Sequence, residues 1–248
     1  MDWAYFFDID GTLIEIAPSP DQIRVDQQLA ALIERLHALT GGAVALITGR
    51  SIRDVDQVFP VAGMAVAGQH GLELRDGWGR LITHALRSES LNEVRQQLIE
   101  ATARHPGLVA EFKGLSIALH YRAAPRLAGY AHRLVRSLQA RFVPDFVLQR
   151  GKRVVELKPA GRDKGVAITD LMQEPPFVGR VPVFVGDDAT DEFGFSVVNE
   201  MHGHSIKVGA GPTSARFRLQ TVSAVKNWLA QGLEAASEEV VGSSGSKR

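Results

Sequence analysis

Asp8 and Asp10 stand two residues apart in Asp8-Ile9-Asp10-Gly11-Thr12-Leu13, and the apolar run Ala4-Tyr5-Phe6-Phe7 leads directly into them. That run reads as a buried strand. Two carboxylates therefore fall just past a strand end, with Gly11 free to turn the chain. Unpaired carboxylates are costly to bury. A Mg²⁺ ion offsets them through the hard oxygen ligands it prefers, and it leaves room for a phosphate. An aspartate can also act as a nucleophile and carry a phosphoryl group as an acyl phosphate. The competing reading is a polar turn that caps the next segment.

Three further polar clusters follow the same rule. Val44-Ala45-Leu46-Ile47 ends in Thr48-Gly49-Arg50-Ser51, and Val181-Pro182-Val183-Phe184-Val185 ends in Gly186-Asp187-Asp188-Ala189-Thr190-Asp191-Glu192. Lys164-Gly165 opens an expected helix that runs to Met172. In doubly wound sheets the carboxyl ends of the strands are where ligands bind. The ordered set D-x-D-G-T-L, T-G-R-S, K-G and G-D-D-x-T-D-E resembles the haloacid dehalogenase-type phosphatases. The segments AGQHG (67–71), EFKG (111–114), ALHYR (118–122), VVELKP (154–159) and GDDATDEFGF (186–195) narrow that resemblance. Together they are similar to the trehalose-6-phosphate phosphatase family of bacterial type, from about Tyr5 to about Trp228.

The resemblance implies an α/β fold: a doubly wound, Rossmann-like parallel-sheet core with an inserted α+β cap. It implies Mg²⁺-dependent hydrolysis of trehalose 6-phosphate through an aspartyl-phosphate. Phosphatases of other sugar phosphates, sugar phosphomutases and a silent sugar-phosphate sensor are the alternatives. In the family reading Asp8 is the nucleophile and stays ionised. Asp10, with a raised pKa, protonates the departing sugar oxygen and then activates water. Mg²⁺ falls to Asp8, the backbone carbonyl of Asp10 and Asp187, with Asp188 on a metal-bound water or another ligand and Asp191 behind them. Thr48 and Lys164 hold the phosphate. Arg50 either joins them or braces the acidic loop.

Glu111 and Lys113, and Glu156 and Lys158, form two E-x-K pairs. A spacing of two places both side chains of a pair on one face of a strand. By themselves such pairs read as exposed ion pairs worth little; the resemblance makes them sugar contacts. Arg122, Gln149 and His70 follow as further contacts, and His120 is expected to be structural.

The elements needed to position these groups are legible. Asp26 to Leu39 places Leu29, Leu32, Ile33, Leu36 and Leu39 on one helical face, with Asp26 as N-cap. A hairpin is expected around Asp76-Gly77-Trp78-Gly79. From near Arg87 the rhythm becomes α-β-β-α-β-β, which suits an antiparallel sheet with helices on one face. The expected division is 1–86 and 159–235 for the core, 87–158 for the cap, and 236–248 for a Ser/Gly-rich disordered tail.

Composition narrows the function class. Lys+Arg and Asp+Glu balance at 28 each, so no basic footprint for nucleic acid appears. The absence of cysteine excludes disulfides, thiolate metal sites and a cysteine nucleophile. No apolar run approaches the roughly 20 residues of a membrane span, and the first strand begins without a basic, apolar leader. The expectation is a cytoplasmic monomer acting on a small molecule.

Overall fold

The fold is described from a computed structural model over residues 2–16, 25–59, 63–84, 88–112, 116–143, 145–151 and 153–244. The chain forms two units, Met1–Ile82 with Asp163–Arg248, and Thr83–Arg162.

The first unit is built on β1 (Trp3–Phe7), β2 (Val44–Ile47), β3 (Ala65–Gly68), β10 (Val181–Gly186), β11 (His204–Val208) and β12 (Phe217–Leu219), all parallel. Short strands β4 (Glu73–Arg75) and β5 (Leu81–Thr83) extend it, β4 pairing antiparallel with β3. The order is β12-β11-β10-β1-β2-β3-β4-β5. The connections run outward in opposite directions from β1 and β10. The crevice beyond the carboxyl ends of those two strands is thus a topological switch point, where such sheets bind ligands.

β1 is apolar throughout because both of its faces are covered. Tyr5 and Phe7 pack with Leu29, Ile33 and Leu36 of α1 (Gln27–Leu39) and Val225, Leu229 and Leu233 of α7 (Val222–Ser244). Ala4 and Phe6 pack on the other side with Ala167, Ile168 and Leu171 of α5 (Lys164–Met172) and Phe195 and Val198 of α6 (Asp191–Glu200). Asp26 caps α1 as expected, accepting from Leu29 N–H at 2.7 Å. The hairpin also forms: Asp76 Oδ1 accepts from the N–H groups of Trp78 and Arg80, each at 2.9 Å. α7 continues through 236–244, where a disordered tail was expected. The Leu, Ala and Glu residues of that helix are strong helix formers, and elongating an existing helix costs far less than nucleating one. Residues 245–248 lie outside the described residues.

The second unit carries α3 (Ser88–Arg104), β6 (Val109–Phe112), β7 (Ile117–His120), α4 (Ala128–Arg141), β8 (Phe146–Gly151) and β9 (Val154–Pro159). Its antiparallel sheet has the order β6-β7-β9-β8. Ile117, Leu119, Val155 and Leu157 face Val94 and Leu98 of α3 and Ala131, Val135 and Leu138 of α4. Both helices therefore cover one face, as the α-β-β-α-β-β order requires. The expected insert of 87–158 lies inside this unit; β9 itself ends at Pro159, paired with Phe146. No helix among the described residues is long and apolar enough to cross a membrane.

Candidate active site

Asp8 leaves β1 with its N–H on Val185 O at 2.9 Å, which keeps it in step with β10. The chain then turns tightly: the carbonyl of Ile9 accepts from the N–H groups of Thr12, Leu13 and Ile14. Gly11 has φ +80°, and a Cβ there would lie 2.2 Å from Asp187 Oδ2. Glycine is thus required twice, for the left-handed turn and for the approach of the Asp187 carboxylate.

The centre of the site is a buried ionic cluster. Lys164, at the start of α5, is 2% exposed. Its Nζ lies 2.9 Å from Asp8 Oδ1 and 2.6 Å from Asp191 Oδ1. Asp191 is fully buried, and its other oxygen accepts from the N–H groups of Asp187 at 2.8 Å and Asp188 at 2.9 Å. Asp191 therefore ties the lysine to the acidic loop. It is not an ordinary helix cap. Asp188 closes the turn ahead of α6: its Oδ1 accepts from Thr190 N–H at 2.7 Å, Thr190 Oγ1 at 2.6 Å and Asp191 N–H at 3.2 Å. Asp10 is held by Arg50 through a two-pronged fork, Nε to Oδ2 and Nη2 to Oδ1, each 2.6 Å. Arg50 thus braces the turn after β1. Thr48 is buried at the end of β2, where its Oγ1 accepts from Arg50 N–H at 3.2 Å. His70 has φ +57°, and its ring packs where a Cβ on Gly49 would stand 2.8 Å away.

Burial dominates the electrostatics. It pushes the Asp8 carboxyl well above the ordinary carboxylate range, with Lys164 opposing and Asp191 adding to the rise. Burial raises Asp191 too, against Lys164. Burial also raises Asp188, but Lys164 and the Thr190 hydrogen bonds outweigh it and leave the group below its usual value. For Lys164 burial favours the neutral amine, yet Asp191, Asp8 and Asp188 hold it above the usual lysine range.

Asp8, Asp187 and Asp191 each offer an oxygen within 4.8 Å of the others. The set is all hard oxygen, and with Asp188 beside it the carboxylates outnumber the Lys164 and Lys207 ammoniums, so a divalent cation fits. Asp191 is occupied by Lys164 and two N–H groups, which leaves Asp8 and Asp187 as the carboxylates suited to hold it.

Asp187 is pushed up to about 6, first by burial and then by Asp191 and Asp188. Its ordinary value is 3.8, so between the two the folded protein binds more protons than the unfolded chain. In chelator, this group's contribution to stability is present below the lower value and is lost as pH rises through about 6. Melting curves in EDTA should fall across that window, and added Mg²⁺ should reverse the fall at its upper end. A wild type that gains stability through the window relative to Asp187→Asn, both in chelator, would contradict the assignment.

A sequence model of the trehalose-phosphatase family matches residues 6–223. The chain belongs to that family. It is 44% identical over 227 residues to the trehalose-6-phosphate phosphatase of Escherichia coli (strain K12), covering 92% of this chain and 85% of the relative. It is 41% identical over 208 residues to the probable trehalose-phosphate phosphatase of Sinorhizobium fredii (strain NBRC 101917 / NGR234), covering 84% and 78%. The C-terminal domain of C. albicans trehalose-6-phosphate phosphatase shares the fold, with a TM-score of 0.78 at 20% identity over 94% of this chain and 92% of that one. This trehalose-phosphatase is thus a phosphoric monoester hydrolase.

The remaining expected contacts of this trehalose-phosphatase lie on the second unit. Glu111 stands opposite Ala118, Ala118 opposite Glu156, and Glu156 opposite Gln149, so one row crosses all four strands. Lys158, opposite Val147, shares that face, which is the one turned away from α3 and α4. Ser116 donates to Glu156 Oε1 at 2.6 Å, and His120 Nε2 lies 2.7 Å from Glu111 Oε2. Arg122 sits in an exposed turn after β7. Lys113 lies outside the described residues. Sequence reasoning missed Thr12, fully buried beside Asp187, and Lys207, a buried lysine in β11. A charged residue between Ile206 and Val208 in an inner parallel strand was the available signal.

Proposed function

We propose that this trehalose-phosphatase hydrolyses trehalose 6-phosphate to trehalose and phosphate in two displacements on Asp8. The observation that supports it best is the Asp8–Lys164–Asp191 cluster at the sheet's switch point, with Asp10 two residues away. An Asp8 oxygen attacks phosphorus as the bond to the sugar oxygen breaks, forming an aspartyl-phosphate. Lys164 and Thr48 hold the phosphoryl oxygens. Asp10 leaves the Arg50 fork, takes up a proton as substrate enters, and gives that proton to the departing sugar oxygen. Asp10 then takes a proton from water, which attacks phosphorus and frees Asp8. Asp8, Asp187 and the backbone carbonyl of Asp10 would hold Mg²⁺, which supplies positive charge to the phosphoryl oxygens.

Phosphate release from a panel of sugar phosphates, with and without EDTA, tests the reading. Trehalose 6-phosphate should be the preferred substrate, and chelation should stop turnover until Mg²⁺ is restored. Preference for another sugar phosphate, or isomerisation without phosphate release, would reject it.

Glu111, Glu156, Lys158, Gln149 and Arg122, with Lys113, supply the sugar contacts. Glu156→Ala should cost roughly 2–4 kcal/mol of transition-state binding, about 30- to 1,000-fold in kcat/KM for trehalose 6-phosphate. A small aryl phosphate makes no sugar contacts, so its hydrolysis should barely change. Equal losses on both substrates, with a lowered melting temperature, would make Glu156 a structural residue instead.

A further inference from the structure

Lys207 lies within the apolar β11 sequence His204-Ser205-Ile206-Lys207-Val208 and is 5% exposed, yet the mechanism above gives it nothing to do. A buried ammonium needs a specific partner to offset its lost hydration. Strand pairing sets Lys207 beside Gly186, the last residue of β10. From there Nζ donates to the backbone carbonyl of Asp187. On the other side of the same residue, Asp187 N–H donates to Asp191 Oδ2 at 2.8 Å. The two peptide groups flanking the Asp187 Cα are thus held by buried charges of opposite sign. Each charge suits its peptide partner: a carboxylate takes the N–H and an ammonium gives to the C=O. With both peptides held, the direction in which Asp187 projects its carboxylate over Gly11 is held too.

We propose that Lys207 is a positioning residue for the divalent-cation site: with Asp191 it clamps the peptides on either side of Asp187 and aims that carboxylate at the cation shared with Asp8. The inference rests on the metal reading of the site given above.

Charge alone predicts the opposite consequence. The Lys207 ammonium repels a cation bound nearby, so deleting the charge without loosening the loop tightens cation binding. Deleting the clamp loosens it, because the carboxylate must then be ordered when the cation binds. The sign of the change therefore separates the two effects.

The experiment is Mn²⁺ binding to the purified protein without substrate, followed by electron paramagnetic resonance, for wild type, Lys207→Met and Lys207→Arg. Melting curves in EDTA establish that each variant is folded. Lys207→Met should bind Mn²⁺ about 10- to 100-fold more weakly, as loss of groups that orient metal ligands commonly does. Lys207→Arg keeps the charge and the donor and should bind nearly as wild type does. Phosphate release by Lys207→Met should recover most of its rate once Mg²⁺ is raised to saturation, since the substitution leaves Asp8 and Asp10 in place. Should the methionine variant not fold, Lys207→Gln, with a neutral donor on a shorter stem, takes its place and should also weaken Mn²⁺ binding. Unchanged or tighter Mn²⁺ binding by a folded neutral variant overturns the clamp while leaving the metal reading intact. A wild type that binds no Mn²⁺ overturns both.

Discussion

Asp8→Asn should abolish phosphate release, by about 10⁴-fold or more, the scale on which other hydrolases lose activity when their nucleophile is removed. It should do so without unfolding the protein. Burial already pushes the Asp8 carboxyl toward its neutral form, so a neutral amide of the same shape removes an unfavourable charge as well as a favourable contact. Lys164 keeps Asp191 at 2.6 Å as its counter-charge. The net change in stability should stay within about 1 kcal/mol, or about 2–4 °C in Tm. Labelled substrate quenched in acid should tag the wild type at Asp8 and leave the variant untagged. A variant that still releases phosphate at a rate near wild type would remove Asp8 from the reaction.

Lys164→Met should lose both activity and stability. Asp8 and Asp191 both depend on this one buried ammonium, and Asp191 is fully buried. Stripping the cation from such a pair leaves uncompensated charge, a loss of roughly 3–5 kcal/mol. For a chain of this size that is about 6–20 °C in Tm. The raised Lys164 pKa means that its stabilisation is fully present throughout the neutral range and fades only at strongly alkaline pH. In the variant the stranded carboxylates take up protons, so the deficit should be larger at pH 8 than at pH 5, by about 1.4 kcal/mol per pH unit for each group held neutral. Adding Asp191→Asn to Lys164→Met should recover part of the stability and none of the activity. Melting unchanged in the single variant would mean that the cluster is not held by Lys164.

The contrast between these variants follows from which parts of the site are local. Local sequence determined the parts that depend on near neighbours. Apolar runs of four or five residues made β1, β2 and β10 recognisable, and the segments that follow them carry Asp8, Thr48 and Asp187. Asp26 could be placed as a helix cap because a cap bonds a backbone group only three residues on. The α-β-β-α-β-β order of the second unit could be read because periodicity reports which face of each element is buried. Partner choice among the charges could not be read in this way. Arg50 had two plausible partners, and only the adjacency of β1 and β2 brings it onto Asp10. Asp191 could be placed behind the metal ligands but without a partner, and only the packing of α5 against α6 makes it the partner of Lys164. Lys207 lies twenty residues from Asp187 and reaches its carbonyl because β11 pairs with β10. Sequence spacing states where a side chain leaves the backbone. Which ion it meets depends on the order of strands in the sheet, and that order is set by the packing of the whole core.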